Sequence, residues 1–97
     1  MTNDIRFEWD PRKSESNRRK HGIDFERVRD VFFDPFKSRA MEGHEHGEVR
    51  WRTIGEIRGR LFVVSHTLEE EGETEVIRII SARKATRRER RTYEGQA

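Results

Sequence analysis

The sequence predicts a small α+β domain: an antiparallel β-sheet packed by two N-terminal helices, with a further helix at the C-terminus. Three observations point there. Two helix starts, each marked by an Asp, lie before residue 35. Three β-rich runs joined by short turns fill residues 49–81, as a meander of antiparallel neighbours would. A capping-box sequence then opens at Thr86. With 97 residues the chain is expected to form one domain, 1–97. At 31% hydrophobic and 41% charged residues it can build only a small core from a few well-placed elements.

Taken in order, Ile5, Phe7 and Trp9 alternate with Arg6 and Glu8, the period of a half-buried strand. Asp10-Pro11 supplies an N-cap and a first-turn proline for a helix running to about Lys20, which Gly22 stops. That helix is almost without apolar residues, and Asn17 and His21 share one face of it. Asp24 caps a second helix, whose Val28, Val31 and Phe32 recur at helical spacing until Asp34-Pro35. Lys37–Met41 reads as a short strand and Gly43–Gly47 as a polar turn. Strands follow at Val49–Ile57, Leu61–Leu68 and Glu75–Ser81, separated by Arg58-Gly59 and by an acidic loop, Glu69–Glu73. The last helix has only Ala85 and Tyr93 to bury, so it is expected to reach outward to a partner.

Composition removes several function classes. Without cysteine there are no disulfides, no thiolate nucleophile and no Cys-ligated zinc. His44 and His46 alternate with Glu45 in a polar turn that lacks a second ligand cluster, so no metal and no cofactor is expected. No apolar run is long enough for a membrane span and no signal peptide is visible, which gives a cytoplasmic protein without membrane contact as the expectation. Net charge is only +2, yet 17 of the 21 basic residues are arginines and they crowd the two ends of the chain. Arginine's planar fork suits phosphate, so the uneven distribution suggests a polyanionic partner. An ordinary solvated surface is the competing reading.

Strand alternation sharpens this. If Leu61, Val63, Ile77, Ile79 and Trp51 face the helices, the opposite face carries Arg50, Arg52, His66 and Arg78 together. A histidine among three arginines could cleave RNA by internal attack. The imidazole would move the proton, and the guanidiniums would stabilise the charge that develops on the phosphorane. The catalytic candidates are therefore His66 and Arg78, with Arg50 and Arg52 as RNA contacts.

Phe7-Glu8-Trp9-Asp10-Pro11, followed by Asn17 and by Lys20-His21-Gly22-Ile23, resembles the opening of the BrnT family of type II toxins. Arg78 to Arg90 resembles that family's C-terminal signature, and Thr53-Ile54-Gly55 also fits. The resemblance implies a RelE-like fold, a ribonuclease that blocks translation, and neutralisation by a BrnA-type antitoxin. It further implies a heterotetramer of two toxins and two antitoxins, with operator DNA bound through the antitoxin. Within the matched motifs it adds Arg83 and Lys84 as catalytic candidates just beyond the last strand, and Lys20 and His21 as RNA contacts. The alternative from a different class is a non-catalytic basic module that binds nucleic acid through the same arginines.

Overall fold

A computed structural model describes residues 4–95. The elements in chain order are β1 (Asp4–Glu8), α1 (Pro11–His21), α2 (Phe25–Val28) continuing as a 3-10 segment (Arg29–Phe33), β2 (Ser38–Glu45), β3 (Glu48–Ile57), β4 (Arg60–Glu71), β5 (Thr74–Lys84) and α3 (Arg87–Glu94). The five strands form one sheet in the order β1-β5-β4-β3-β2. Three of the pairings are antiparallel hairpins, and β1 joins β5 in parallel. The strands are longer than the sequence predicts. His46-Gly47 and Arg58-Gly59 each place two successive residues at positive φ, the geometry of two-residue hairpin turns. Ladder pairing therefore continues through Glu45, through the acidic residues to Glu71, and on to Lys84.

α1 has no apolar stripe and is held by polar side chains instead. Asn17 is buried, donates to the Ile23 carbonyl at 2.9 Å and accepts from the Ala82 amide at 3.1 Å. Ser14 accepts from the Phe25 amide at 2.9 Å, fixing the start of α2. The side of the sheet facing α1 and α2 holds the main core: Phe25, Val28, Val31 and Phe32 pack on Phe62, Val64, Ile77, Ile79 and Ala82.

β4 inverts the face expected of it. Phe62 and Val64 lie under the two N-terminal helices, whereas Leu61 and Val63 form a second cluster with Ile54 and Tyr93 on the other side. The helix α3 covers that side, so β4 is apolar on both faces and its alternation carries no phase. α3 is accordingly docked on its own domain, contrary to the outward helix expected from its composition. Tyr93 is 8% exposed and its hydroxyl donates to Asp34 Oδ2 at 2.6 Å.

The inversion carries His66 into the main core, where it is fully buried with its ring edge-on to Phe32, centroids 4.9 Å apart. Nδ1–H donates to the Thr67 carbonyl at 3.1 Å and Nε2 accepts from the Thr53 hydroxyl at 2.7 Å. His66 does not share a face with the arginines, and no substrate reaches it. Burial pushes its pKa from 6.5 to about 4, against the opposing bond to Thr67, so the ring is neutral at physiological pH.

Two outcomes are expected. Because the folded pKa is depressed, the unfolded chain takes up a proton between pH 6.5 and about 4 that the folded chain refuses, and stability falls as pH falls through that window. An NMR titration should show a His66 ring that stays neutral to about pH 4; titration near 6.5 in the folded protein would contradict it. At Gly55, an added Cβ would lie 2.7 Å from both the carbonyl oxygen and Cγ1 of Val31. Gly55→Ala should therefore lower unfolding stability by about 1–3 kcal/mol in denaturant titration, as overpacking against backbone does.

Candidate functional site

The side of the sheet opposite α1 and α2 is open beyond the footprint of α3, and its residues can be placed by register. Across one row, Ala40 of β2 pairs with Arg52 of β3, Arg52 with Ser65 of β4, and Ser65 with Ser81 of β5. The row on one side runs Ser38, Ile54, Val63 and Arg83. On the other side Thr67 pairs with Arg78, and Arg78 with Glu8 of β1. Directly paired residues share a face, so Arg52, Arg78 and Arg83 surround Ser65 on one surface. The register of Arg50, opposite Gly43 and two residues from Arg52, puts it there as well.

The four arginines differ in freedom. Among the described residues, neither Arg52 nor Arg78 has a carboxylate within ion-pair distance, which leaves both guanidiniums available to a phosphate. Arg50 pairs with Glu45 at 2.8 Å and is 24% exposed at its side chain. Arg83 makes a two-pronged contact with Glu89, its two terminal nitrogens 2.7 and 2.9 Å from the carboxylate oxygens. Glu89 also accepts from the Thr86 amide, closing the capping box of α3. The bond from Arg83, reinforced by Thr86, outweighs burial and draws the Glu89 pKa down to about 2. The same bond holds Arg83 above its ordinary value, helped by Glu89 and by the charge of Glu42.

Glu42 is a residue that sequence reasoning passed over. It lies where the β2–β3 register slips between Met41 and Gly43. A bulge re-aims the side chain it carries. Here the Glu42 carboxylate reaches across β3 and accepts from the Ser65 hydroxyl at 2.9 and 3.1 Å. Glu42 also lines a small hollow of about 200 Å³ with Gly43, His44, Glu45 and Arg50. A one-residue irregularity within a polar stretch leaves no periodic signal, so nothing in the sequence marks it.

The remaining candidates fall on the other side. Arg83 and Lys84 are consecutive strand residues, not a loop beyond the strand, and so point to opposite faces. Lys84 and His21 line a cleft of about 660 Å³ together with Arg27, Asp30, Arg58 and Arg60. Lys20 is exposed one residue from it on α1. The structure therefore divides the predicted set in three: an arginine face, a basic cleft behind it, and His66 in the core.

A family model described as the ribonuclease toxin, BrnT, of a type II toxin-antitoxin system matches residues 9–89. The chain belongs to that family. No curated protein matches the chain. The match spans α1 through the capping box of α3 and includes all four arginines of the open face. Membership makes this chain a ribonuclease toxin whose class works with an antitoxin partner.

The Arg83–Glu89 pair joins the site to α3, which gives a stability prediction. Glu89→Ala should lower stability by about 1–2 kcal/mol near neutral pH, the scale of a lost helix cap. The loss should shrink below pH 4.5 as the wild-type carboxylate titrates toward about 2, because a depressed carboxylate contributes only while it is ionised. Unfolding curves of the two proteins at pH 7 and pH 3 check both statements.

Proposed function

We propose that this toxin is a metal-independent endoribonuclease that stops translation by cutting RNA on its arginine face. The observation that supports the reading is the placement of unpaired Arg52 and Arg78, with Arg83, around Ser65 on one exposed strand surface. Attack of a 2′-hydroxyl on the adjacent phosphate builds negative charge on the phosphorane oxygens. Guanidiniums held on a rigid sheet are oriented in advance to stabilise that charge, without a metal ion. The products would be a 2′,3′-cyclic phosphate and a 5′-hydroxyl.

Arg78 carries the central role because it is exposed in a strand otherwise rich in Val and Ile, and among the described residues no carboxylate lies within ion-pair distance of it. Arg50 and Arg52 extend the face along the RNA backbone. Lys84, His21 and Lys20 are assigned to backbone contacts of a strand passing through the cleft on the other side, not to the reacting phosphate. The neutralising partner is a BrnA-type antitoxin that covers the arginine face, in an assembly of two toxins and two antitoxins that binds operator DNA through the antitoxin. The site of action is the cytoplasm. No helix among the described residues is long and apolar enough to cross a membrane.

The test is cleavage of a short RNA by purified protein in EDTA, with growth arrest measured in parallel. Wild type should cut and arrest growth, and Arg78→Ala should fall by about 10²–10³-fold while retaining its fold. Full activity of Arg78→Ala would remove it from the site. RNA retention with a steep salt dependence but no cleavage would favour the non-catalytic binding module.

A further inference from the structure

We infer that Glu42, held by Ser65, is the general base that takes the 2′-hydroxyl proton; the inference rests on the ribonuclease reading and names a residue for it. Internal attack on a phosphodiester needs a base, and the histidine that the sequence suggests is enclosed in the core. The surface that carries the arginines has to supply another group.

Carboxylates near the open face divide by what holds them; Glu48, Glu56 and Glu69 share its alternation and are exposed without an ion pair among the described residues, but none is fixed beside Ser65. Glu89 is bound to both terminal nitrogens of Arg83, Glu45 to Arg50, and Glu8 to Arg6 at 3.3 Å. Glu42 has no cation within ion-pair distance among the described residues, and it accepts its hydrogen bonds from the neutral Ser65 hydroxyl. It is also exposed, so its other lone pairs are open to a substrate. The position is one the backbone is shaped to provide. The register slip in β2 takes Glu42 out of the pairing ladder, and Gly43 follows at φ 150°, a conformation that other residues rarely adopt.

The location argues for chemistry over binding. An acid in the middle of a face built to hold phosphate repels the phosphate and weakens binding. Such a group is useful if it accepts a proton at the reacting centre. Ser65 lies in the row of Arg52, next to the row of Arg83, so the carboxylate it holds is brought among the charges that would clamp the phosphorane. In the step, the O2′–H proton passes to a Glu42 oxygen and the O2′–P bond forms. The P–O5′ bond breaks, and the departing 5′-oxygen takes a proton from water. Ser65 is a positioning residue. Its hydroxyl fixes which way the carboxylate turns.

The experiment compares wild type, Glu42→Gln, Glu42→Asp and Ser65→Ala on one short RNA in EDTA, with affinity measured separately on the same RNA carrying a 2′-deoxy residue at the cut. Folding of each variant is checked by circular dichroism; all these sites are on the surface. Glu42→Gln should lower the cleavage rate by about 10²–10⁴-fold. It should bind RNA at least as tightly as wild type and lose the acidic limb of the pH–rate profile. Glu42→Asp should recover part of the rate and keep the limb. Ser65→Ala should keep the limb with a lower rate. A Glu42→Gln protein that cuts at the wild-type rate, or keeps the acidic limb, overturns the assignment and leaves the ribonuclease reading standing. Wild-type protein that binds the RNA and does not cut it overturns both.

Discussion

The Asp34 carboxylate is the clip on which the layered architecture closes. It stands at the edge of the sheet beyond the first β2–β3 pair, Ser38 with Ile54, where β3 still has amides without a β2 partner. Oδ2 accepts from the Glu56 amide of β3 at 2.7 Å and from the Tyr93 hydroxyl of α3 at 2.6 Å, and Oδ1 accepts from the Phe36 amide at 2.8 Å. One side chain thereby joins the end of the helical segment, the sheet and the C-terminal helix on its far face. Burial opposes the charge, and the bonds from Tyr93, Phe36 and Glu56 outweigh it and hold the pKa below the ordinary value. The Tyr93 hydroxyl, buried against an anion, is pushed up to about 12. A core this small gains little from α3's own apolar residues, so a charge-assisted bond does much of the fastening.

That fastening sets the shape of the site. α3 docks over Ile54, Leu61 and Val63 and leaves the rows of Ser65 and Arg78 uncovered. From the docked helix, Glu89 holds Arg83 at the border between the covered and open parts of the face. The arginine face is therefore a boundary feature: apolar packing ends where the guanidiniums begin. The basic cleft on the other side shares the β3–β4 hairpin through Ile57, Arg58 and Arg60, so both charged regions hang on one stretch of sheet.

Most of the fold was legible in local chemistry. Asp10-Pro11, Gly22, Asp24 and the Thr86–Glu89 box each mark a helix end that the structure places there, with the side-chain bonds those motifs imply. The shared face of Arg50, Arg52 and Arg78 followed from alternation in β3 and β5, where one side is clearly polar. β4 resisted the same logic because a central strand covered on both sides alternates between two apolar sets. His66 went with the wrong set for that reason. Glu42 and the anchoring role of Asp34 were out of reach for a different reason: each depends on a side chain that crosses between elements distant in sequence, by 23 and 59 residues. Such contacts leave no local pattern.

The parallel pairing of β1 with β5 has a consequence for when the arginine face is assembled. Asp4 pairs with Thr74 and Glu8 with Arg78, so among the described strands the first has its one sheet partner in the last. The loop this closes contains both N-terminal helices and three other strands, and contacts of this separation slow folding. During synthesis the N-terminal strand waits unpaired until β5 has been made, and α3 then has to emerge before Tyr93 can reach Asp34. The arginine face is thus incomplete until β5 has paired. A ribosome that stalls or releases the chain before β5 yields a polypeptide without Arg78 or the surface that presents it.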